Sequence, residues 1–231
     1  MTVASFTLHG FRAGALGVAP LIPGIAMYGV AFGVMAQAAG LSTLESALLS
    51  GWVNAGGAQM ASLQAWSNPV PILAVFLMTL AMNTRYLLLG AALRPWFGAL
   101  PPYQSYPSLL VMGDGNWTLA LREREEGRSD AAFLLGSGFI LWLVWIGTTI
   151  AGHAFGRVLG DPTRFGIDFM LAAFFAAMAV IFVRKSSAIL PLVIGAAVAI
   201  VVQRVTEGPW YILAGAVAGS AAGAMRRVDP V

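Results

Sequence analysis

Residues 13–44, AGALGVAPLIPGIAMYGVAFGVMAQAAGLSTL, and residues 46–84, SALLSGWVNAGGAQMASLQAWSNPVPILAVFLMTLAMNT, are separated by a single charged side chain, Glu45. The first stretch runs for 32 residues and the second for 39. At about 1.5 Å per helical residue, a bilayer core takes about 20 residues, so the second stretch is long enough for two crossings. The break between them falls at Trp66-Ser67-Asn68-Pro69-Val70-Pro71, where an amide and two prolines stop one helix and start another. Further apolar runs cover about 131–155, 165–183, 186–203 and 208–225, and a shorter, more polar stretch at 103–121 reads as a broken span. The expectation is an all-α integral membrane protein, a single transmembrane domain over 1–231 built as a bundle of seven or eight helices, some of them discontinuous.

Composition agrees. The 231 residues are 58% hydrophobic and 10% charged, with a mean hydropathy of +0.79. Soluble domains carry about 45–50% apolar and about 25% charged residues. A soluble globule, a disordered chain and a nucleic-acid-binding protein are therefore poor readings; the net charge of +3 comes from arginines scattered singly or in small loop groups. The absence of cysteine removes disulfides, thiolate metal sites and thiol nucleophiles. The run after Arg12 is far longer than a signal-peptide core of about 7–15 residues, so it is kept as the first span. The apolar stretches are continuous rather than alternating, which argues against outer-membrane strands. No repeat of the 20–50-residue kind stands out.

The distribution of Lys and Arg sets the expected orientation. With eight spans and a cytoplasmic N-terminus, Arg12, Arg122, Arg124, Arg128, Arg184, Lys185, Arg226 and Arg227 fall inside, and Arg94, Arg157, Arg164 and Arg204 outside. Both termini are therefore expected in the cytoplasm, and the mixed-charge run from Arg122 to Arg128 is a solvated loop.

Several polar features lie at membrane depth. Pro20-Leu21-Ile22-Pro23-Gly24 removes two backbone donors from the first span. It is either a packing kink or a discontinuous helix whose ends face a substrate, as in many transporters. Asn54-Ala55-Gly56-Gly57-Ala58-Gln59 places two glycines between amides in the second span. Here interhelical hydrogen bonding competes with the preferred reading, an unwound turn that contacts substrate. Asn83-Thr84-Arg85-Tyr86 puts an arginine in the last third of the third span, either snorkelling or paired. Asp114, within Met112-Gly113-Asp114-Gly115-Asn116-Trp117, is the acidic residue at comparable depth, and a buried Arg85–Asp114 pair would make a lock or a proton-sensitive switch.

Weaker signals are Gly29-x-x-x-Gly33 and Gly215-x-x-x-Gly219-x-x-x-Gly223, faces for close helix packing within the chain or with a partner, and His153, read as an interfacial residue rather than a metal ligand. No nucleotide loop, metalloprotease motif, nucleophile elbow or paired-acid site is present, so an ATP-driven pump and a hydrolase lose support and no cofactor is expected.

The order Gly14…Pro20-Leu21-Ile22-Pro23-Gly24…Phe32-Gly33…Ala39-Gly40-Leu41-Ser42, then Ser50…Ala55-Gly56-x-x-Gln59, then Asn83-x-Arg85-Tyr86, resembles the AzlC family, the large subunits of bacterial branched-chain amino acid exporters. The resemblance is densest over residues 12–120. In the family the third signature is usually followed by Thr-Asp-Glu, where this chain has Gly113-Asp114-Gly115, and Ser usually precedes the Gln where this chain has Ala58. The resemblance implies export of valine, leucine, isoleucine or similar amino acids across the inner membrane, with a small membrane partner of the AzlD type. A zwitterionic substrate needs donors for its carboxylate, acceptors for its ammonium and an apolar slot. Candidate substrate residues are Pro20, Pro23, Gly24, Asn54, Gly56, Gly57, Gln59 and Asn83, with Arg85 and Asp114 as coupling groups or a buried ion pair. An ion gradient is the expected driving force. The competing classes are a membrane scaffold subunit without transport of its own and, last, an ion channel.

Overall fold

The computed structural model describes residues 5–64, 66, 67, 69–159, 166, 169, 176, 189–206 and 210–225. The expected span at 165–183, apart from Gly166, Phe169 and Ala176, and the charges Arg164, Arg184, Lys185, Arg226 and Arg227 lie outside the described residues, as does Asn68.

The described chain is helical. Helix α1 (Leu8–Gly17) leads through a single 3₁₀ turn (Ala19–Leu21) into α2 (Ile22–Ala38). Pro20 sits in that turn and Pro23 at the start of α2, where a missing N–H removes no helical hydrogen bond. The first span is thus interrupted at Val18–Leu21. The second is interrupted too, as α3 (Thr43–Val53) and α4 (Gly56–Gln64). Asn54 closes α3 in the left-handed region, φ 44° and ψ 35°, a conformation that asparagine tolerates better than most side chains. The unwound residues are therefore Asn54 and Ala55, while Gly56 and Gly57 open the next helix instead of lying in the turn.

Beyond the proline break, α5 (Ile72–Asn83) passes at Thr84 into α6 (Arg85–Phe97). The break expected within 103–121 falls at Val111–Gly113, between α7 (Pro102–Leu110) and α8 (Asp114–Glu125). Helix α9 (Ala132–Leu159) is unbroken, and α10 (Ile189–Val205) and α11 (Trp210–Ala224) complete the described elements. Among the described residues, three runs are long and apolar enough to cross a membrane: Leu8–Ala38, Ile72–Phe97 and Ala132–Val158. The helices Ile189–Val205 and Trp210–Ala224 are apolar but shorter.

Helix α9 is the post against which α1 and α2 pack. Carbonyls and glycines interlock from both sides: a Cβ at Gly33 would collide with the Thr149 carbonyl oxygen, and one at Gly152 with that of Val30. Small residues allow such close backbone approach inside a membrane, where packing and not hydrophobicity drives helix association. The Gly29–Gly33 face is thus used within the chain, as is Gly215, which meets Gly195 across α10 and α11.

Asp130 fixes one end of the post. Its Oδ1 accepts the Ala132 N–H at 3.1 Å at the start of α9, and the Thr7 N–H at 3.2 Å at the start of α1. Its Oδ2 accepts the Thr7 hydroxyl at 2.5 Å. At the other end, His153 is 1% exposed, its ring packed inside the protein. Its Nε2 lies 2.8 Å from the Leu41 carbonyl oxygen and its Nδ1 3.0 Å from Thr43 Oγ1, which ties α9 to the loop before α3.

Candidate functional site

Three interruptions meet at one place. Asn54 Nδ2 donates to the Leu110 carbonyl oxygen at 3.5 Å, which sets the break between α3 and α4 against that between α7 and α8. Around them lies a cavity of about 320 Å³, at the small end of the range of about 300–1,000 Å³ for ligand pockets. The 3₁₀ turn and α2 contribute Leu21, Gly24, Ile25 and Tyr28, a spacing that puts all four on one helix face. The second break and α4 contribute Asn54, Gly56 and Gly57; α6 contributes Arg85 and Tyr86. The third break and α8 supply Val111, Gly113, Asp114, Gly115 and Asn116, and α9 closes the site with Gly138, Leu141 and Trp145.

Two helices begin at this cavity. In α4 the first helical hydrogen bond runs from Gln59 N–H to the Ala55 carbonyl, so the N–H groups of the residues before it have no partner within the helix. In α8 the corresponding bond is Trp117 N–H to Gly113 C=O, and the Gly113 N–H is held by Asn116 Oδ1 at 2.7 Å. The ends of both helices carry partial positive charge.

The charged groups meet. Arg85 Nη2 lies 3.0 Å from Asp114 Oδ2, with side chains 30% and 29% exposed. Arg85 also lies over its neighbour Tyr86, 5.2 Å from the ring centre. Snorkelling to a helix end is therefore not what this arginine does: it stands in mid-run of Ile72–Phe97 and turns into the cavity.

Of the residues expected to touch substrate, Gly24, Asn54, Gly56 and Gly57 line the cavity, and Pro20, Pro23, Gln59 and Asn83 do not. Pro20 and Pro23 shape the turn that presents Leu21 and Gly24. Gln59 is 1% exposed and stands behind the wall: its Oε1 accepts the Trp145 indole N–H at 3.1 Å, and its Nε2 reaches Ser50 Oγ at 3.4 Å. Ser50 in turn lies 2.9 Å from Thr149 Oγ1. Asn83 is placed beside the site, its Oδ1 buried without a hydrogen-bond partner among the described residues.

Sequence reasoning passed over Tyr28, Leu141, Asn116 and Trp145. The ring of Trp145 lies 5.5 Å from Tyr28 and stacks on Phe32 at 5.9 Å. Tyr28 and Asn116 carried a usable signal: the first repeats Gly24 one helical turn on, and the second follows Asp114 by two residues. Leu141 and Trp145 sit in a uniformly apolar run and carried none.

A chain with long apolar runs, interrupted helices and an ion pair in a lined cavity has the build of a helical membrane protein. The AzlC protein family matches residues 20–159, more than half the sequence and every residue that lines the cavity, and the chain belongs to this family. A curated protein of Haemophilus influenzae, described as an uncharacterized membrane protein, is 22% identical over 157 residues, which is 68% of this chain and 64% of that protein. The chain thus spans just under two thirds of the length of that relative. No solved structure matches the chain.

Proposed function

We propose that the protein is the large subunit of a secondary transporter that exports branched-chain or similar aliphatic L-amino acids from the cytoplasm. The observation that carries this reading is the cavity at the meeting of the helix breaks: two helix N-termini and Arg85 offer donors to a carboxylate, Asp114 offers an acceptor to an ammonium, and Leu21, Ile25, Val111, Leu141 and Trp145 form an apolar wall. Family membership supports transport as the class of activity. An ion gradient drives export in this reading, since the sequence has no nucleotide-binding loop. A small AzlD-type subunit completes the complex in the inner membrane, with seven or eight spans in the large subunit and both termini in the cytoplasm.

Counterflow of labelled L-valine in proteoliposomes, with and without an added small subunit of the AzlD type, tests the reading. Exchange of valine that unlabelled leucine or isoleucine inhibits is the expected result. No movement of any aliphatic amino acid under either condition would assign the chain to a scaffold role.

A further inference from the structure

Arg85 and Asp114 cancel each other inside a cavity whose remaining wall is largely aliphatic and aromatic. A ligand with one charge that entered there would pair with one of the two and leave the other uncompensated, which is the costly state for an ion pair out of water. A ligand that carries one anionic and one cationic group avoids this. Its anion takes the guanidinium, its cation takes the carboxylate, and the cavity stays neutral before and after.

Two features of the pair suit such an exchange. A guanidinium carries several N–H donors, and the contact of Nη2 with Asp114 at 3.0 Å occupies only part of them, so it keeps donor capacity for a second oxyanion. Asp114 stands in the first turn of α8, where backbone N–H groups favour a carboxylate. That partial charge orients the carboxylate but does not replace a counter-ion, so once Arg85 turns to another partner Asp114 still requires a cation.

We propose that a free α-amino acid is read at both ends by this pair, its carboxylate on Arg85 and its ammonium on Asp114, so that the substrate divides the ion pair instead of binding beside it. The proposal rests on the transport reading and narrows it. The substrate class is the unblocked zwitterion; aliphatic acids, aliphatic amines and N-acylated amino acids are excluded by charge, whatever their side chain. Recognition of the side chain is left to the apolar wall.

The test is competition against labelled L-valine counterflow in proteoliposomes of the complex, with isovalerate, isobutylamine and N-acetylvaline as competitors. Each keeps the branched carbon skeleton and loses one charge. Each is expected to compete about 100-fold more weakly than unlabelled valine, the scale of leaving one member of a buried pair alone. Competition by any of the three within about 10-fold of valine would overturn the proposal and leave the transport reading standing, whereas absence of valine counterflow would overturn the transport reading and this proposal with it. The double variant Arg85→Gln with Asp114→Asn, assayed by valine and isovalerate binding in detergent, supplies an independent arm. Valine's advantage is expected to fall below about 10-fold, and an advantage still near 100-fold would overturn the proposal.

Discussion

Trp145 donates its indole N–H to Gln59 Oε1 over 3.1 Å, and the same side chain is part of the cavity lining. Gln59 therefore acts on the site through the ring it holds. Its replacement by leucine leaves the indole N–H of Trp145, itself only 5% exposed, without an acceptor, a loss of about 1–3 kcal/mol. Gln59→Leu should express and insert, melt earlier, and show a several-fold lower valine counterflow; unchanged counterflow would reduce the amide to packing.

The ion pair predicts a non-additive cycle. Arg85→Ala and Asp114→Asn each strand a charge. Because both side chains are near 30% exposed, the single losses should be on the order of 1–3 kcal/mol, below the about 3–5 of a fully buried pair. The double variant should recover part of the loss in stability while transport stays low. Denaturation in detergent measures the cycle, and strictly additive losses would show that the two groups act independently.

Gly24 sets a size limit. It lines the cavity, and a Cβ built there meets nothing within 4 Å. Gly24→Ala and Gly24→Val add methyl groups to open space on the helix face shared with Leu21, Ile25 and Tyr28. The expected outcome is a protein of near-normal stability that loses leucine and isoleucine counterflow about 10-fold more than alanine counterflow, as one or two methylenes do in an apolar slot. Equal losses for all three substrates would place the side-chain slot elsewhere.

Close packing on α9 predicts a contrast between two glycines of one helix. Gly152→Ala drives a methyl group into the Val30 backbone, which must shift, at a cost of about 1–3 kcal/mol. Gly147→Ala meets nothing within 4 Å and should be neutral or slightly stabilising through helix propensity. Paired thermal melts of the two variants decide the point.

Outside the membrane-spanning runs, the last turn of α8 and the loop after it titrate by their own arginines. Glu123 lies below its ordinary 4.5 chiefly through the side-chain hydrogen bonds from Arg128, both 2.6 Å, and Glu126 chiefly through that from Arg122 at 2.9 Å, with Arg128 second. Folded values below unfolded ones mean that the contribution is present above about pH 4.5 and is lost as pH falls through the lower folded values. Arg128→Ala should raise the Glu123 titration toward 4.5 and Arg122→Ala that of Glu126, as followed by carboxyl carbon shifts in NMR. Melting temperatures at pH 7 should scarcely move, since exposed pairs contribute little.

The membrane class was legible because charge-free intervals of this length have few soluble uses, and the breaks were legible because Pro20, Pro69, Pro71 and Asn54 act locally on their own backbone. The meeting of Arg85 with Asp114 was open as one of two fates for each, and only the crossing of α6 with α8 decides it. The α9 wall was hidden for a physical reason. In a soluble helix the polar face marks the other side, whereas here lipid and core ask for the same apolar residues, so nothing in Phe139–Trp145 distinguishes the ring that faces the site. The partners of His153, the Leu41 carbonyl and the Thr43 hydroxyl, were hidden because they lie more than a hundred positions away and neither is a recognisable histidine partner in sequence.

The glycine notches at Gly33 and Gly152 have a mechanical corollary. Backbones seated against each other's carbonyls leave no slack, so α2 and α9 form the rigid jamb of the cavity. The facing side is made from the ends of short pieces, α4 with 9 residues and α8 with 12, each hinged on an unwound turn. In the transport reading a passage would open most cheaply by swinging those pieces away from the jamb, at the turns Asn54–Ala55 and Val111–Gly113, where the helices are already interrupted.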